Sequence, residues 1–462
     1  MRWRRHDAGR TAGVIFLAAA AVATAILQYQ VTASAGAREL SVEARIPAFP
    51  DRDGELSVDD GAEPFVRDVT ILPVQGAVPV PLERRGDSWF APACASLGCR
   101  IRYRFMLREA AQARGDEDLA KLYGEVTESP PGAWLLRPLR LPAGATASLH
   151  VSTPEGLRFV AGLPKGQWSA SRLGELPYAA FGDLRVETLR LQSGSLTVAI
   201  AKARRRQGEE ELLGWIRSSA TLVAEYFGRF PADGALLLVL PAPGGQIHGR
   251  ARGTGGASIL FFLGTDLDME QTRQSWQLVH EMVHLGLPAL PRRHLWAEEG
   301  LATYLEPIAR ARAGELSAEK VWGDLVRDLP QGLPRQGDEG LDRTHTWGRT
   351  YWGGALFWLL ANVEIRQRTG NRLGLEDALR AVVAQGGSIA ERWPLQRVLE
   401  VGDRAAGSTV LVDLYAKMAS EPFAVDLDAF FRRLGVSLRG AKVEFDDGAP
   451  LSSIRVAMTG RR

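Results

Sequence analysis

The sequence predicts an α+β protein of several domains, in which a β-rich N-terminal domain is followed by a mixed αβ unit and a helical unit. Three observations indicate this. Short β-branched or alternating stretches broken by Pro and Gly fill residues 40 to 170, and two continuous apolar runs of strand length lie at residues 236–240 and 258–263. Helical patterns separated by Pro and Gly dominate residues 271 to 435. At 462 residues the chain has room for about three domains.

The composition is that of an ordinary globular protein. Hydrophobic residues make up 45% and charged residues 24%, and the 49 Gly and 25 Pro show no collagen-like or low-complexity bias. The 56 Lys and Arg residues nearly balance the 54 Asp and Glu residues, which leaves a net charge of +2. A chain this close to neutral lacks the basic surface of a nucleic-acid-binding protein, so we expect no nucleic-acid partner.

The first 35 residues have the pattern of an export signal. Four arginines precede an uncharged segment, and its apolar part, residues 12–27, is too short for the about 20 residues of a membrane-spanning helix. A basic start, a shorter apolar stretch and a small-residue site such as Ala33-Ser34-Ala35 are typical of a cleaved signal peptide. The alternative is an uncleaved anchor, and membrane attachment is expected only through this segment. In both cases we expect the body to be exported to the periplasm, the cell envelope or the extracellular space.

Residues 36–175 are expected to form the β-rich N-terminal domain. Its two cysteines, Cys94 and Cys99, are separated by four residues and would meet an oxidising compartment after export. We favour a disulfide that closes a small loop, and the alternative is two reduced, buried thiols.

Residues 176–330 are expected to form the αβ unit, and residues 331–462 a helical subdomain with a C-terminal strand and tail. The runs at 236–240 and 258–263 are interpreted as strands of one small sheet, and a glycine-rich loop precedes the second strand. The longest predicted helix of the last unit is at 347–368, and the closing strand is at 441–445, followed by a short tail.

One predicted helix carries polar residues that point to a metal site. His280 and His284 are one helical turn apart on the same face, so both imidazoles can bind one ion. Glu281 lies about 100° round the helix, where it can contact a bound water molecule. This is the His-Glu-x-x-His pattern of metallohydrolases. The alternative is a pair of core histidines satisfied by hydrogen bonds.

A third ligand is expected from the next helix, whose sequence is WAEEGLATYLEP. A catalytic zinc ion binds three protein ligands and keeps a fourth position open. Glu298 and Glu299 are adjacent in this helix and diverge by about 100°, so only one of them can reach the ion. The intervening turn contains two prolines and can bring the second helix back antiparallel to the first.

The motifs HEMVH and WAEEGLATYLEP together resemble those of the gluzincin metallopeptidases, whose third ligand is the Glu directly before Gly. The resemblance implies a thermolysin-like zinc peptidase domain with a small mixed sheet and helices, and one Zn²⁺ ion bound by His280, His284 and Glu299. The segments YWGGALFWLL, IRQRTG and LEDALR are similar to the glycyl aminopeptidase family within that group, over residues 180 to 435. In that family a Tyr three residues before Gly stabilises the oxyanion, and Tyr351 occupies this position.

The chain departs from this family in three places. The spacing from His284 to Glu299 is about one helical turn shorter than in related aminopeptidases. Gly353 stands where the family has a lysine, and residues 253–258 offer no carboxylate for the free amine of a substrate. The resemblance therefore implies a peptidase but leaves aminopeptidase specificity open.

The expected reaction is hydrolysis of a peptide bond. Zinc at such a site lowers the pKa of its water to about 7, and Glu281 removes the proton and passes it to the departing amine. The phenol of Tyr351 is expected to stabilise the charge that grows on the carbonyl oxygen.

Three further residues are candidates for supporting roles. Gly255 and Gly256 would let a substrate backbone approach the strand at 258–263, although a plain hairpin turn explains them equally well. Thr303, one turn after Glu299, is a candidate hydrogen-bond partner near the metal.

The leading hypothesis is therefore an exported zinc-dependent peptidase that acts on peptides or proteins. One alternative is a catalytically idle binding or scaffold protein of the cell envelope that keeps the gluzincin fold. A second is a zinc hydrolase that acts on a non-peptide amide, which the ligands do not distinguish from a peptidase.

Overall fold

The computed structural model describes residues 25–72, 78–440 and 442–460, and its architecture confirms the predicted fold class. The strands are β1 (Ile26–Ala33), β2 (Leu40–Ile46), β3 (Glu55–Ser57), β4 (Val66–Leu72), β5 (Val80–Pro81), β6 (Glu83–Arg85), β7 (Ser88–Phe90), β8 (Cys99–Phe105), β9 (Lys121–Tyr123), β10 (Val126–Glu128), β11 (Arg137–Pro138), β12 (Thr146–Ser152), β13 (Arg158–Ala161), β14 (Gln167–Ser169), β15 (Ala179–Gly182), β16 (Leu184–Leu191), β17 (Gly194–Ala201), β18 (Ala235–Ala242), β19 (Ile247–Gly253), β20 (Ala257–Gly264), β21 (Val436–Arg439) and β22 (Lys442–Phe445). The helices are α1 (Pro92–Leu97), α2 (Leu107–Ala113), α3 (Glu209–Phe227), α4 (Met269–Gln274), α5 (Gln277–His284), α6 (Leu295–Arg312), α7 (Ala318–Asp328), α8 (Gly354–Arg368), α9 (Leu375–Ala384), α10 (Leu395–Ala406), α11 (Val410–Met418), α12 (Leu427–Leu434) and α13 (Ser452–Thr459).

The N-terminal domain is built on a seven-stranded sheet of order β14-β12-β1-β2-β8-β4-β5 and two smaller four-stranded sheets. β1 lies inside the large sheet, parallel to β12 and antiparallel to β2. Its residues Leu27, Tyr29 and Val31 are at most 1% exposed, so this strand belongs to the core of the domain.

The predicted start of this domain at residue 36 is wrong, because β1 lies before it. The inward face of β1 is apolar and continues the apolar run of the sequence, and its exposed outward residues, Gln28, Gln30 and Thr32, are polar but carry no charge. The strand therefore looks like the end of the export signal. Residues 1–24, which hold most of that predicted signal, lie outside the described residues.

The region after the N-terminal domain is built on a five-stranded mixed sheet of order β16-β17-β18-β20-β19. β17, β18 and β20 run parallel to one another, and β19 is the antiparallel edge strand next to β20. The predicted glycine-rich loop is thus mostly strand. β19 was missed because its Gly, Ala and Arg residues offer little β-branched or aromatic signal.

The helices from α3 onward and one face of the mixed sheet share one hydrophobic core, whose buried residues extend along the chain from Leu189 to Met458. The predicted helix at 347–368 is divided into one π-helical turn, Arg349–Gly353, and α8. The predicted closing strand is β22, but the tail after it forms the further helix α13, because Ile454 and Met458 pack into the core. Among the residues described here, none of the helices has both the length and the apolar character needed to cross a bilayer.

Candidate active site

The two histidines of the motif and one glutamate from the next helix meet at one point. His280 and His284 lie on α5, and their Nε2 atoms are 3.3 Å and 3.7 Å from Oε2 of Glu299 on α6. One donor atom from each of the three residues lies within 4.8 Å of the others. Two imidazole nitrogens and one carboxylate oxygen are the donor set of a catalytic zinc site, so the residues present fit this ion.

Glu299 reaches this point because α6 and α8 approach closely. Gly300, the next residue, lies directly against Gly354 at the start of α8, and a Cβ added to Gly300 would overlap the backbone of Gly354. The glycine of the WAEEG motif therefore allows a helix contact that a larger residue would block.

The neighbouring Glu298 turns away from the metal centre. Its Oε1 accepts a hydrogen bond of 2.7 Å from the backbone N–H of Leu290, in the turn that connects α5 and α6. Burial raises the pKa of Glu298 to about 7. The structure thus separates the two adjacent carboxyl groups, one toward the histidines and one toward the connecting turn.

Two of the three donors, His284 and Glu299, have pKa shifts that favour the ionisation state a metal ion requires. Burial lowers the pKa of His284, which favours the neutral imidazole. Burial acts to raise the pKa of Glu299, but His284, His280 and a hydrogen bond from Tyr351 outweigh it, so the net pKa is lowered and the carboxylate form is favoured.

Glu281 lies on the side of α5 that faces β19. A Cβ on Gly249 would lie 2.5 Å from Cγ of Glu281, so the glycine makes room for this carboxyl group. Burial raises the pKa of Glu281 to about 7, although His284 and a hydrogen bond from the backbone N–H of Ala251 act to lower it. A carboxyl group that titrates near neutrality suits general acid–base catalysis.

Tyr351 approaches the metal centre from the opposite side, on the π-helical turn before α8. Its phenol interacts with the carboxylate of Glu299, and its ring stacks on Trp347 with 5.7 Å between the ring centroids. Burial, together with the charge of Glu299, raises the pKa of Tyr351 to about 12, so the phenol keeps its proton and can donate a hydrogen bond. Single π-helical turns occur frequently at functional sites.

A cleft of about 780 Å³ opens over these residues. All of β19 lines it, and two arginines of that strand bind acidic residues of the N-terminal domain: Arg250 lies 2.9 Å from Glu117, and Arg252 lies 2.9 Å from Asp118. Sequence reasoning did not single out these arginines, because their partners lie far away along the chain and only the tertiary fold brings them together.

The prediction that Gly255 and Gly256 contact substrate is wrong. Both lie in the hairpin turn between β19 and β20 and pack against the N-terminal domain, where a Cβ on Gly256 would overlap the carbonyl oxygen of Gly162. The adjacent Gly253 and Thr254 line the cleft instead. The structure instead contains the plain hairpin turn that was the alternative explanation of these two glycines.

The remaining predicted residues are placed as follows. Thr303 lies one turn beyond Glu299 and lines a second, smaller cavity, and within the described part of the chain its hydroxyl makes no hydrogen bond to a metal-site residue. Cys94 and Cys99 are joined by a disulfide in the N-terminal domain, remote from the metal centre.

His294, which the sequence left without a role, supports the start of α6. Its Nδ1 lies 2.9 Å from Oδ1 of Asp342, which also accepts a hydrogen bond of 2.8 Å from the indole of Trp296. The other oxygen of Asp342 accepts a hydrogen bond from Tyr415 on α11. This partly buried network holds the first turn of the helix that carries Glu299.

The fold is that of the gluzincin zinc metallopeptidases, as the sequence predicted. More particularly, it is similar to solved structures of the M1 aminopeptidases. An aminopeptidase N family protein from Idiomarina loihiensis matches with a TM-score of 0.67 and 13% identity, over 89% of this chain and 79% of that chain. An M1 zinc metallopeptidase from Deinococcus radiodurans matches with a TM-score of 0.52 and 15% identity, over 87% of this chain and 93% of that chain.

A third similar structure is a longer protein, and the similarity covers only about half of its chain. Aminopeptidase A from Legionella pneumophila, in complex with aspartic acid, matches with a TM-score of 0.51 and 13% identity, over 86% of this chain and 49% of that chain. No sequence-family profile and no curated protein sequence matches the chain. At these identities the likeness establishes the fold.

Proposed function

We propose that this protein is a zinc-dependent peptidase that hydrolyses peptide bonds. One observation carries the proposal: the side chains of His280, His284 and Glu299 converge at the wall of a cleft, with Glu281 on one side and Tyr351 on the other. The fold supports it, since the M1 proteins with this fold are named as zinc metallopeptidases, and one of them was solved bound to a Tyr-Ser-Ala substrate.

The roles of the residues follow from their positions. When bound, zinc supplies an electrophile that polarises a carbonyl group and acidifies a water molecule. Glu281 accepts the proton of the attacking water and delivers it to the departing amine, which its pKa of about 7 allows at neutral pH. The protonated phenol of Tyr351 donates a hydrogen bond to the carbonyl oxygen as negative charge develops there.

The edge strand β19 supports the proposed orientation of the substrate. It is the last strand of the mixed sheet among the residues that the structure describes, so one row of its backbone groups has no partner strand there, and the strand lines the cleft. An extended peptide can add to such an edge by backbone hydrogen bonds. Gly249 and Ala251 on this strand contact Glu281, so a peptide that pairs with β19 passes close to the proposed base.

The test compares purified protein with the Glu281→Gln variant on a mixed peptide library, with zinc content measured in parallel. We expect the variant to retain zinc and to lose at least about 100-fold in turnover, because the proton acceptor is gone. Glu298→Gln is the matched control, since it changes the adjacent carboxyl group that faces the turn. Unchanged turnover in Glu281→Gln would reject the mechanism. Zinc-free native protein that cleaves nothing would favour the idle scaffold.

We also propose that the protein acts outside the cytoplasm. The basic start and short apolar segment of the sequence support export, and the Cys94–Cys99 disulfide fits an oxidising compartment. The test is fractionation of expressing cells combined with thiol labelling. We expect the protein in the exported fraction with neither cysteine labelled before reduction, whereas a cytoplasmic protein with two reactive thiols would contradict the proposal.

A further inference from the structure

Several strands of the large sheet start or stop together at one end of the N-terminal domain. The pairings of Ile46 with Cys99 and of Leu72 with Arg100 bring the end of β2, the start of β8 and the end of β4 side by side. β1 is antiparallel to β2, and β5 is antiparallel to β4, so both of these strands begin at the same end. We call this end of the sheet, together with α1, which leads into β8, the apolar tip. Its exposed or half-buried apolar residues are Ile26, Leu72, Val78, Val80 and Leu97.

The apolar tip carries the two most exposed large apolar side chains of the described chain. Leu97 is 85% exposed and Val78 is 80% exposed, whereas no other large apolar residue that the structure describes exceeds 61%. Val80, two residues after Val78, is also more than half exposed. Single exposed apolar residues are normal on a protein surface, but several of them at one place mark a surface that contacts a partner or a membrane.

The local structure holds Leu97 in its exposed position. Leu97 is the last residue of α1, and the loop that contains it is closed by the disulfide between Cys94 and Cys99. Gly98 has a φ of +71°, and a Cβ there would lie 2.9 Å from the carbonyl oxygen of Ile46, so glycine lets the loop lie directly against the end of β2. Leu97 therefore projects from a loop that is fixed at both ends.

Basic residues outnumber acidic residues on one side of the apolar tip. Arg45 and Arg100 line a cavity of about 1000 Å³ there, and apart from Gln28 the other residues that line it are apolar or glycine. Glu43 is the shared ion-pair partner of Arg100 and Arg102. Arg45 is exposed and has no ion-pair partner within the described part of the chain. This side of the apolar tip therefore has an excess of positive charge.

The neighbouring surface does not cancel this positive charge. A separate cavity beside α1 is lined by the acidic residues Asp51 and Asp53, but Arg52 and Arg140 line the same cavity. Acidic and basic side chains are thus balanced there. The excess at Arg45, Arg100 and Arg102 remains, and it would attract an anionic surface.

The apolar tip is also the place where the export segment of the sequence joins the fold. Residues 12–24 of that uncharged segment come directly before Ala25 and Ile26, so the sequence has no linker between the segment and β1. A chain held in a bilayer by this segment would bring the apolar tip to the lipid surface. Apolar side chains that project singly suit such a surface, because acyl chains adapt to them and need no complementary shape.

We propose that the apolar tip binds the surface of an anionic phospholipid bilayer. Leu97, Val78 and Val80 insert among the acyl chains, and Arg45 and Arg100 lie against the phosphate groups. Apolar insertion and the attraction of basic residues to anionic lipids together hold peripheral proteins at membranes. This surface is separate from the proposed active site and from the attachment through residues 12–27 that the sequence left open.

The test places a fluorescent reporter at the apolar tip of the full-length protein. Val78→Cys provides one free thiol for an environment-sensitive dye, because Cys94 and Cys99 are bonded to each other. On vesicles of phosphatidylglycerol and phosphatidylcholine in equal parts, we expect the emission to shift to the blue and lipids with a quencher on the acyl chain to quench it. Val456→Cys, at an exposed apolar position on α13, is the matched control and should keep its emission in water.

Second substitutions in the labelled Val78→Cys protein test the two forces separately. Leu97→Asp should shift the equilibrium between lipid-exposed and water-exposed label toward water by at least about 10-fold, because an inserted leucine is replaced by a charge. Arg45→Gln should shift it by about 5-fold, and vesicles of phosphatidylcholine alone should also weaken the contact. Both side chains are exposed, so we expect thermal unfolding to match that of the native protein.

Three results would overturn the proposal. The first is a label at residue 78 that stays in water on anionic vesicles, and the second is quenching that Leu97→Asp leaves unchanged. The third is a blue shift without lipid. If that shift grows with protein concentration, a second copy of the chain covers the apolar tip, and if it does not, a segment of the same chain covers it. Because the label reports lipid contact at the tip itself, the outcome depends neither on peptidase activity nor on whether the export segment is retained.

Discussion

Gly300 of α6 and Gly354 of α8 are in backbone contact, with no room between them for a methyl group. The residue before Gly300 is the proposed zinc ligand Glu299, and the proposed oxyanion donor Tyr351 lies three residues before Gly354. The close contact of the two helices therefore sets the distance between these two side chains.

Gly300→Ala should accordingly damage stability and metal binding together. The added methyl group must push α6 and α8 apart, and we expect the free energy of unfolding to fall by about 1–3 kcal/mol. Chemical denaturation with and without added zinc checks this, and zinc should rescue the variant less than it rescues the native protein. Gly214→Ala in α3 is the matched control, because a Cβ there meets nothing within 4 Å and alanine should raise helix stability. Equal behaviour of the two variants would show that the helix contact has no special role.

The two adjacent glutamates of α6 should differ in their effect on zinc. Glu299→Gln removes a proposed ligand and should weaken zinc binding by at least about 100-fold, whereas Glu298→Gln keeps all three ligands and should bind zinc nearly as tightly as the native protein. Competition with a chromophoric chelator gives the dissociation constants. If Glu298→Gln proved the weaker binder, the assignment of the ligand would have to be reversed.

Tyr351→Phe should separate catalysis from binding. The phenol stabilises charge that develops only in the transition state, so kcat should fall by about 100- to 1000-fold while KM changes little. Steady-state kinetics on one defined peptide measures both constants, and zinc content shows whether the metal centre is intact. A changed KM at constant kcat would place Tyr351 in substrate binding.

Glu128 on β10 should make stability depend on pH. It is fully buried, neither of its carboxyl oxygens has a hydrogen-bond partner among the residues described, and burial raises its pKa well above the ordinary value. Arg252 and Lys121 act to lower this pKa, and Glu117 and Asp118 act to raise it further. Because the folded-state pKa is raised, the stability that the protonated carboxyl contributes is complete below the unfolded pKa and is lost as the pH rises through the folded pKa.

The variant Glu128→Gln should remove that loss. We expect it to be more stable than the native protein by more than about 1 kcal/mol at alkaline pH, with the difference shrinking toward acid pH. Denaturant unfolding across this pH range checks the sign. Glu155→Gln changes an exposed carboxyl group and should reproduce the native profile. If the free energy of unfolding of the Glu128→Gln variant instead depended on pH as that of the native protein does, other groups in the folded state would have to compensate the buried carboxyl group.

The two proposed histidine ligands and the proposed base could be predicted because their signal is local. His280, Glu281 and His284 occupy one helix, and the angle between helical residues places them without knowledge of the fold. The residues around Glu298 and Glu299 do not show which of the two carboxyl groups reaches the ion. Only the resemblance to a known family decided between them. The structure supplies the physical reason, since the connecting turn provides a backbone N–H for Glu298.

The errors arose where distant parts of the chain meet. Gly255 and Gly256 have the composition of a substrate-binding loop, but Arg172 lies against the first and Gly162 against the second. The strand β1 was assigned to the signal because its burial depends on β12, which comes much later in the sequence. The second, smaller cavity that Thr303 lines could not be predicted from the sequence either, because α6, α7 and the π-helical turn line it together.

The parallel pairing of β1 with β12 also has a consequence for synthesis. Ile26 is among the first residues of the fold to leave the ribosome, yet its partner Thr146 is made only after all the intervening strands of the large sheet. Such non-local pairing delays folding. A nascent chain that has not yet made β12 cannot complete this sheet, and under the proposed export such a delay would keep the chain unfolded for passage through a secretion channel.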